Sequence, residues 1–261
     1  MQYIVSETDG VIATITFDNP ASLNALGLKM ASEFRDAVNK VAGDENIRCL
    51  VIGGAGRAFM AGGDLKYFHD NLGAIDDTVA EIIGVYHEII LKITEMPKPV
   101  ITRVHGAVAG GGIGMALSGD YVIAADTTLF NMAYTGIGTS PDGGSTYFLP
   151  RLIGRRRAME MALLNRPLDA EKALNLGLVN EVVTEDQLTE TSLKIASKLA
   201  VGAAVAIAGA KNLINRSFES SGLADHLELE RGSFRRCAAT EDFAEGLSAF
   251  LEKRRPNFKG S

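Results

Sequence analysis

The chain has 261 residues, 46% of them hydrophobic and 22% charged, with a net charge of −6 at pH 7. That length supports a core large enough to need no disulfide or metal staple, and the acidic balance gives nucleic acid no global electrostatic attraction. The two cysteines, Cys49 and Cys237, belong to no CxxC pair or His/Cys cluster, which argues against a disulfide framework and a structural zinc site and makes a reducing cytoplasm the expected compartment.

Residues 11–17 (VIATITF) alternate and are rich in β-branched side chains, which predicts a strand ended by Asn19-Pro20. Over 27–42, Met30, Phe34, Val38 and Val41 recur at helical spacing and form one apolar face. Residues 49–52 read as a short buried strand running into Gly53-Gly54. Residues 77–95 read as a second amphipathic helix, closed by Pro97 and Pro99, and 100–104 as the next strand. This strand–helix–strand order predicts βαβ units and a largely parallel sheet. In AVAGGGIGMALSGD (107–120) three glycines lead into a helix at 113–117, and short strands follow at 121–125 and 128–132. From about Arg155 the pattern turns helical. Asp169 caps a short helix before Gly177, 179–183 is one small strand, and 186–252 hold three or four helices. The expected organisation is an α/β core over 1–195 and a helical C-terminal region over 196–261. No basic segment followed by an apolar run opens the chain, and no apolar run is long enough to span a bilayer, so neither a signal peptide nor a membrane role is expected.

Two basic runs, Arg155-Arg156-Arg157 and Lys253-Arg254-Arg255, read either as solvated helix termini or as clamps for a phosphorylated ligand. Charge alone favours the first reading. Gly110-Gly111-Gly112 stands at a strand-to-helix junction, where unpaired N–H groups and a positive dipole end suit an oxyanion or a polarised carbonyl. Tight helix–sheet packing calls for the same glycines. In AFMAGGDL (58–65) Gly62-Gly63 can present another bare N–H, with Asp64 capping the helix that follows; alone, this reads as an ordinary turn.

Taken together these segments carry a resemblance over nearly the whole chain. NPASLNAL (19–26), GRAFMAGGDL (56–65), PKPVITRVHGAVAGGGIGMALSGD (97–120), GIGTSPDGGSTYFLPRLIG (136–154), ALNLGLVNEVV (173–183) and FAEGLSAFLEKRRPNF (243–258) resemble the crotonase (enoyl-CoA hydratase/isomerase) superfamily in order and separation. The resemblance implies a ClpP-like β/α spiral core with a helical C-terminal region, a homotrimer or homohexamer, and an acyl-CoA thioester substrate that brings its own coenzyme A. No other cofactor and no metal is implied. Gly63 and Gly111 match the two backbone N–H donors of the thioester oxyanion hole. Ser22, Leu23 and Ala25 resemble the first CoA-contacting loop, with Ala61, Asp64 and Leu65 near the nucleotide. Phe250 and Lys253 resemble a C-terminal pair that reaches the CoA of a neighbouring subunit.

Departures from the family pattern bear on the reaction. Hydratases carry two glutamates, and the matching positions here are Gly114 and Tyr134, so hydration lacks both its base and its acid. Asp142, in Ser140-Pro141-Asp142-Gly143-Gly144, reads as turn chemistry on its own. Within the resemblance it matches the single acid of the isomerases that act on phenylacetate-pathway CoA esters. The same position is the nucleophile of 4-chlorobenzoyl-CoA dehalogenases, which pair it with a histidine matched by His87 and an aromatic residue matched by Tyr134. Those enzymes carry an aromatic side chain where this chain has Gly63. His87 also reads as a boundary residue of its helix, near Ile83 and Ile90. The expected function is enoyl-CoA isomerisation. The alternatives are an aryl-CoA dehalogenase or hydrolase with Asp142 as nucleophile and His87 as base, and a non-catalytic acyl-CoA-binding member.

Overall fold

The structure is a computed structural model that describes residues 2–260. β1 (Ile4–Asp9) pairs antiparallel with β2 (Ile12–Phe17). In β2 the alternate residues Ala13, Ile15 and Phe17 are fully buried, whereas β1 buries only Ile4. That polar edge strand has no alternating signature, so sequence periodicity passed over it. α1 (Leu28–Gly43) buries Met30, Phe34, Val38 and Val41 as predicted, together with Ala31. Its C-terminal carbonyls are tied down by the Lys98 ammonium, which donates to Val41 O at 2.6 Å and Asp44 O at 2.5 Å.

Next come β3 (Cys49–Gly54), β4 (Ala58–Met60), α2 (Leu65–Asp70), α3 (Ile75–Glu95), β5 (Val100–Val104), β6 (Ala107–Ala109), α4 (Gly111–Ser118), β7 (Tyr121–Ala125), β8 (Leu129–Asn131) and α5 (Ser145–Leu164). The chain continues through β9 (Leu168–Asp169), α6 (Ala170–Asn175), β10 (Glu181–Val183) and α7 (Leu188–Ala200). Among the described residues the strands form two sheets, ordered β1-β2-β3-β5-β7-β10 and β4-β6-β8-β9. From β2 onward the larger sheet is parallel, as expected. Each of β3, β5 and β7 runs on into a three-residue strand of the smaller sheet and then into a helix. The chain thus winds as a β/α spiral. Because β4 and β6 pair in parallel, Met60 against Val108, the segments that leave them emerge side by side.

α5 begins ten residues before the predicted start, with a break at Gly154 (φ 77°) that separates a first stretch containing Pro150 from the second. Asp169 caps α6 through the Lys172 N–H, as predicted. α7 packs Leu188, Ala196 and Ala200 beneath Cys49, Val51, Ile101 and Ile123 of the large sheet. Residues 195 and 196 both lie within α7, which is followed by the 201–203 turn. Beyond it α8 (Ala204–Arg216), α9 (Leu223–Ala238) and α10 (Glu241–Leu251) bury little; α8 has no buried residue and α9 only Ser233. Their main tie to the core is Lys211, whose buried ammonium lies 2.8 Å from the Asp120 carboxylate and donates to Ile93 O at 2.8 Å. Among the described residues no single helix is long and apolar enough to cross a membrane.

Candidate active site

The first donor sits where the 19–26 loop meets the segment leaving β4. Leu26 N–H donates to Gly62 O at 2.7 Å, and Asp64 N–H donates to Leu26 O at 3.1 Å. By the alternation of a parallel ladder the Gly63 N–H faces the opposite side, and among the described residues it has no acceptor. The second donor is at the start of α4. Gly110 holds φ 51° and ψ −125°, its own N–H goes to Asn131 O at 3.0 Å, and Gly111 is the first helical residue. Its N–H is one of the amides a helix N-terminus leaves unpaired.

Contact between the two turns is close. A Cβ added to Gly62 would lie 3.1 Å from Ala109 O and 3.5 Å from Gly111 N, and one on Gly110 would lie 3.5 Å from Gly62 Cα. The two turns are in van der Waals contact, so the parallel pairing of β4 and β6 delivers the Gly63 and Gly111 turns to one spot. Two fixed donors there can hold a developing oxyanion without reorganising.

Asp142 follows a 3-10 turn at Tyr134–Ile137 and precedes α5. Its carboxylate does not cap α5, which has no side-chain cap. Ser145 N–H and Oγ both donate to the Asp142 carbonyl, at 3.2 and 2.9 Å, which leaves the side chain free for other contacts. Tyr134, 8% exposed, donates its hydroxyl to Asp142 Oδ1 at 2.5 Å. Burial, and then the neighbouring Asp142 charge, push the Tyr134 phenol above its ordinary range, so it stays a donor. Among the described residues Oδ2 has no partner.

Steric contacts explain why Gly114 carries no side chain. A Cβ there would lie 1.9 Å from Gly143 O. Gly143 (φ 59°) is backed in turn by Tyr86, whose ring Cε1 would lie 2.3 Å from a Cβ on Gly143. The turn that carries Asp142 thus occupies the space a hydratase glutamate would need. Gly63 is less strictly closed: its Cβ would lie 2.7 Å from the ring of the half-buried Phe68, a side chain rather than backbone.

The remaining sequence-predicted residues divide. Ser22, Leu23 and Ala25 lie on one turn beside Ala61, whose N–H donates to Leu23 O at 3.0 Å. Asp64 caps α2 through Tyr67 N–H, and Leu65 is exposed. Phe250 (81% exposed) and Lys253 stand at the end of α10, and among the described residues no hydrogen bond or ion pair joins them to the 22–25 or 61–65 segments. Of the two basic runs, Arg157 pairs with Glu160 and Arg254 with Glu245 and Glu252. His87 is not brought to Asp142. It is exposed on α3, and no hydrogen bond or ion pair links the two among the described residues. Its neighbour Tyr86, about 100° away around the helix, is the residue that enters the site.

Sequence reasoning missed Tyr86, Asn24 and Ser145. The signal for Tyr86 was present: it shares the apolar face of Ile82, Ile89, Ile90 and Ile93, and a buried phenol needs a partner. Asn24, fully buried, donates to Ala55 O and Ala58 O and accepts from Asn19 N–H, which pins the 19–26 loop to the β3–β4 connection.

Comparison with known proteins gives the family and the fold. The family model for enoyl-CoA hydratase/isomerase matches residues 7–261. The chain is 38% identical to 1,2-epoxyphenylacetyl-CoA isomerase of Escherichia coli K12, over 100% of this chain and 99% of that one. It is 31% identical to trans-2-decenoyl-acyl-carrier-protein isomerase of Streptococcus mutans, over 98% of each. An enoyl-CoA hydratase structure from Polaromonas sp. JS666 superposes with a TM-score of 0.94 at 36% identity, covering 98% of this chain and 99% of that one. The chain belongs to the enoyl-CoA hydratase/isomerase family and has the crotonase fold.

Proposed function

We propose that the chain isomerises the double bond of an enoyl-CoA thioester. Asp142 takes a proton from one carbon of the acyl chain, and the electron pair moves onto the thioester oxygen, where the Gly63 and Gly111 N–H groups hold the enolate. The Asp142 carboxylic acid then returns the proton to the other carbon, so the double bond has moved and the composition is unchanged. Tyr134 fixes the carboxylate through Oδ1 and leaves Oδ2 for the substrate.

The observation that carries this reading is the steric exclusion at Gly114. With the Gly143 carbonyl in the place of one hydratase carboxylate and Tyr134 in the place of the other, Asp142 is the carboxylate that remains, and one shuttling acid is what isomerisation requires. The isomerase names of two relatives support the reaction class. The exposure of His87 on α3 counts against the dehalogenase reading. In the assembled protein, a trimer or hexamer, the apolar surface of α8 to α10 packs on neighbouring subunits, and Phe250 and Lys253 reach a neighbour's CoA. A panel of 2-enoyl-, 3-enoyl- and aryl-CoA esters tests the function. Double-bond migration at unchanged mass supports it, and addition of water or loss of halide as the main product refutes it.

A further inference from the structure

We infer that Tyr86 is a positioning residue for the Gly111 donor, acting through the first turn of α4. This rests on the oxyanion role proposed for Gly111. The Tyr86 hydroxyl donates to Gly111 O at 2.5 Å. A side chain from α3 thereby enters the first turn of α4 and holds its opening carbonyl.

The position is a demanding one. Gly110, Gly111 and Gly112 form a run of residues with little backbone restraint of their own. Gly112 is fixed against β4, where a Cβ would lie 2.2 Å from Met60 O. Gly110 is fixed by Asn131 O. Tyr86 is the side-chain contact that holds Gly111 between them, through its carbonyl. Its ring also lies against both halves of the site, since a Cβ on Gly111 would lie 3.6 Å from Cε1 and one on Gly143 2.3 Å from the same atom. Tyr86 is 2% exposed, so water cannot replace its hydroxyl at the Gly111 carbonyl without opening the core. Its role is to set the direction of the Gly111 N–H and its separation from the Asp142 turn.

The test uses Tyr86→Phe, which keeps the ring and removes the donor, with butyryl-CoA carrying a 13C thioester carbonyl as an unreactive probe. In the wild type, binding lowers the carbonyl stretching frequency. In Tyr86→Phe that downshift falls by at least about half, free CoA binds as before, and kcat for isomerisation drops roughly 10-fold with KM little changed, less than the ~10²-fold expected for losing a donor outright. A structural role alone would lower thermal stability and leave the downshift intact, and that result overturns the inference while the proposed function stands. A wild type without any downshift overturns both. If Tyr86→Phe does not fold, Tyr86→His, which retains a ring N–H, decides: a retained downshift supports the inference, and its loss in a folded variant overturns it.

Discussion

Gly114→Ala adds one methyl group, yet its expected cost is that of a clash between backbones. The new Cβ would meet Gly143 O at 1.9 Å and Gly143 C at 2.8 Å, well inside the ~3.5–4.0 Å at which heavy atoms pack best. The 142–144 turn cannot simply yield, because Gly143 rests on the Tyr86 ring and Ser145 holds the Asp142 carbonyl from the other side. Overpacking a core typically costs ~1–3 kcal/mol, and an obstacle made of backbone belongs at the upper end. For a chain of this size that corresponds to a fall in Tm of roughly 5–10 °C. Gly84→Ala is the control: this exposed glycine of α3 has nothing within 4 Å of an added Cβ, and replacing a helical glycine there should gain ~0.5–1 kcal/mol. Thermal unfolding followed by circular dichroism reads both. The same geometry predicts that Gly114→Glu combined with Tyr134→Glu creates no useful hydratase. A stable double variant that hydrates crotonyl-CoA at the ~10 s⁻¹ of a median enzyme, or a Gly114→Ala protein with unchanged Tm, would refute the steric argument.

Of the six tyrosines, burial raises Tyr121 above its ordinary range and holds Tyr86 and Tyr134 well above it. Their folded pKa values lie above the unfolded value of about 10, so their contribution to stability is complete below that pH and is lost as pH rises beyond it. A spectrophotometric titration should leave Tyr86 and Tyr134 silent until the protein unfolds in alkali; six reversible, native-state ionisations would contradict this. Lys211→Met strips the Asp120 carboxylate of its buried partner and should cost ~3 kcal/mol or more in urea unfolding. Replacing Phe250 and Lys253 together by alanine should weaken assembly and CoA affinity while barely altering the subunit's own packing, because Phe250 is 81% exposed; sedimentation and CoA titration read the two effects, and neither changing would remove the C-terminal role.

Several of these features were legible from residue order alone. The apolar face of α1 followed from helical spacing, whereas Gly63 and Gly111 were paired by the family resemblance and not by the glycine turns themselves. The three-residue strands β4 and β6, which create that adjacency, are too short to leave a periodic signal. The dehalogenase resemblance offered His87, but a one-residue step around α3 separates an exposed histidine from the buried Tyr86. The glycine at 114 showed only that a carboxylate was missing. That Gly143 fills its place depends on a contact between segments about thirty residues apart, which no local pattern encodes.

The proposed isomerisation stands or falls on Asp142 moving the proton. The direct measurement offers a 3-enoyl-CoA to the wild type and to Asp142→Asn, following the conjugated thioester by absorbance and the affinity by titration. The expected rate is at least ~10²-fold lower in Asp142→Asn, the usual scale for losing a general acid–base group, with thioester affinity nearly unchanged because both oxyanion donors remain. An Asp142→Asn protein that keeps the wild-type rate on every thioester the wild type turns over would contradict it.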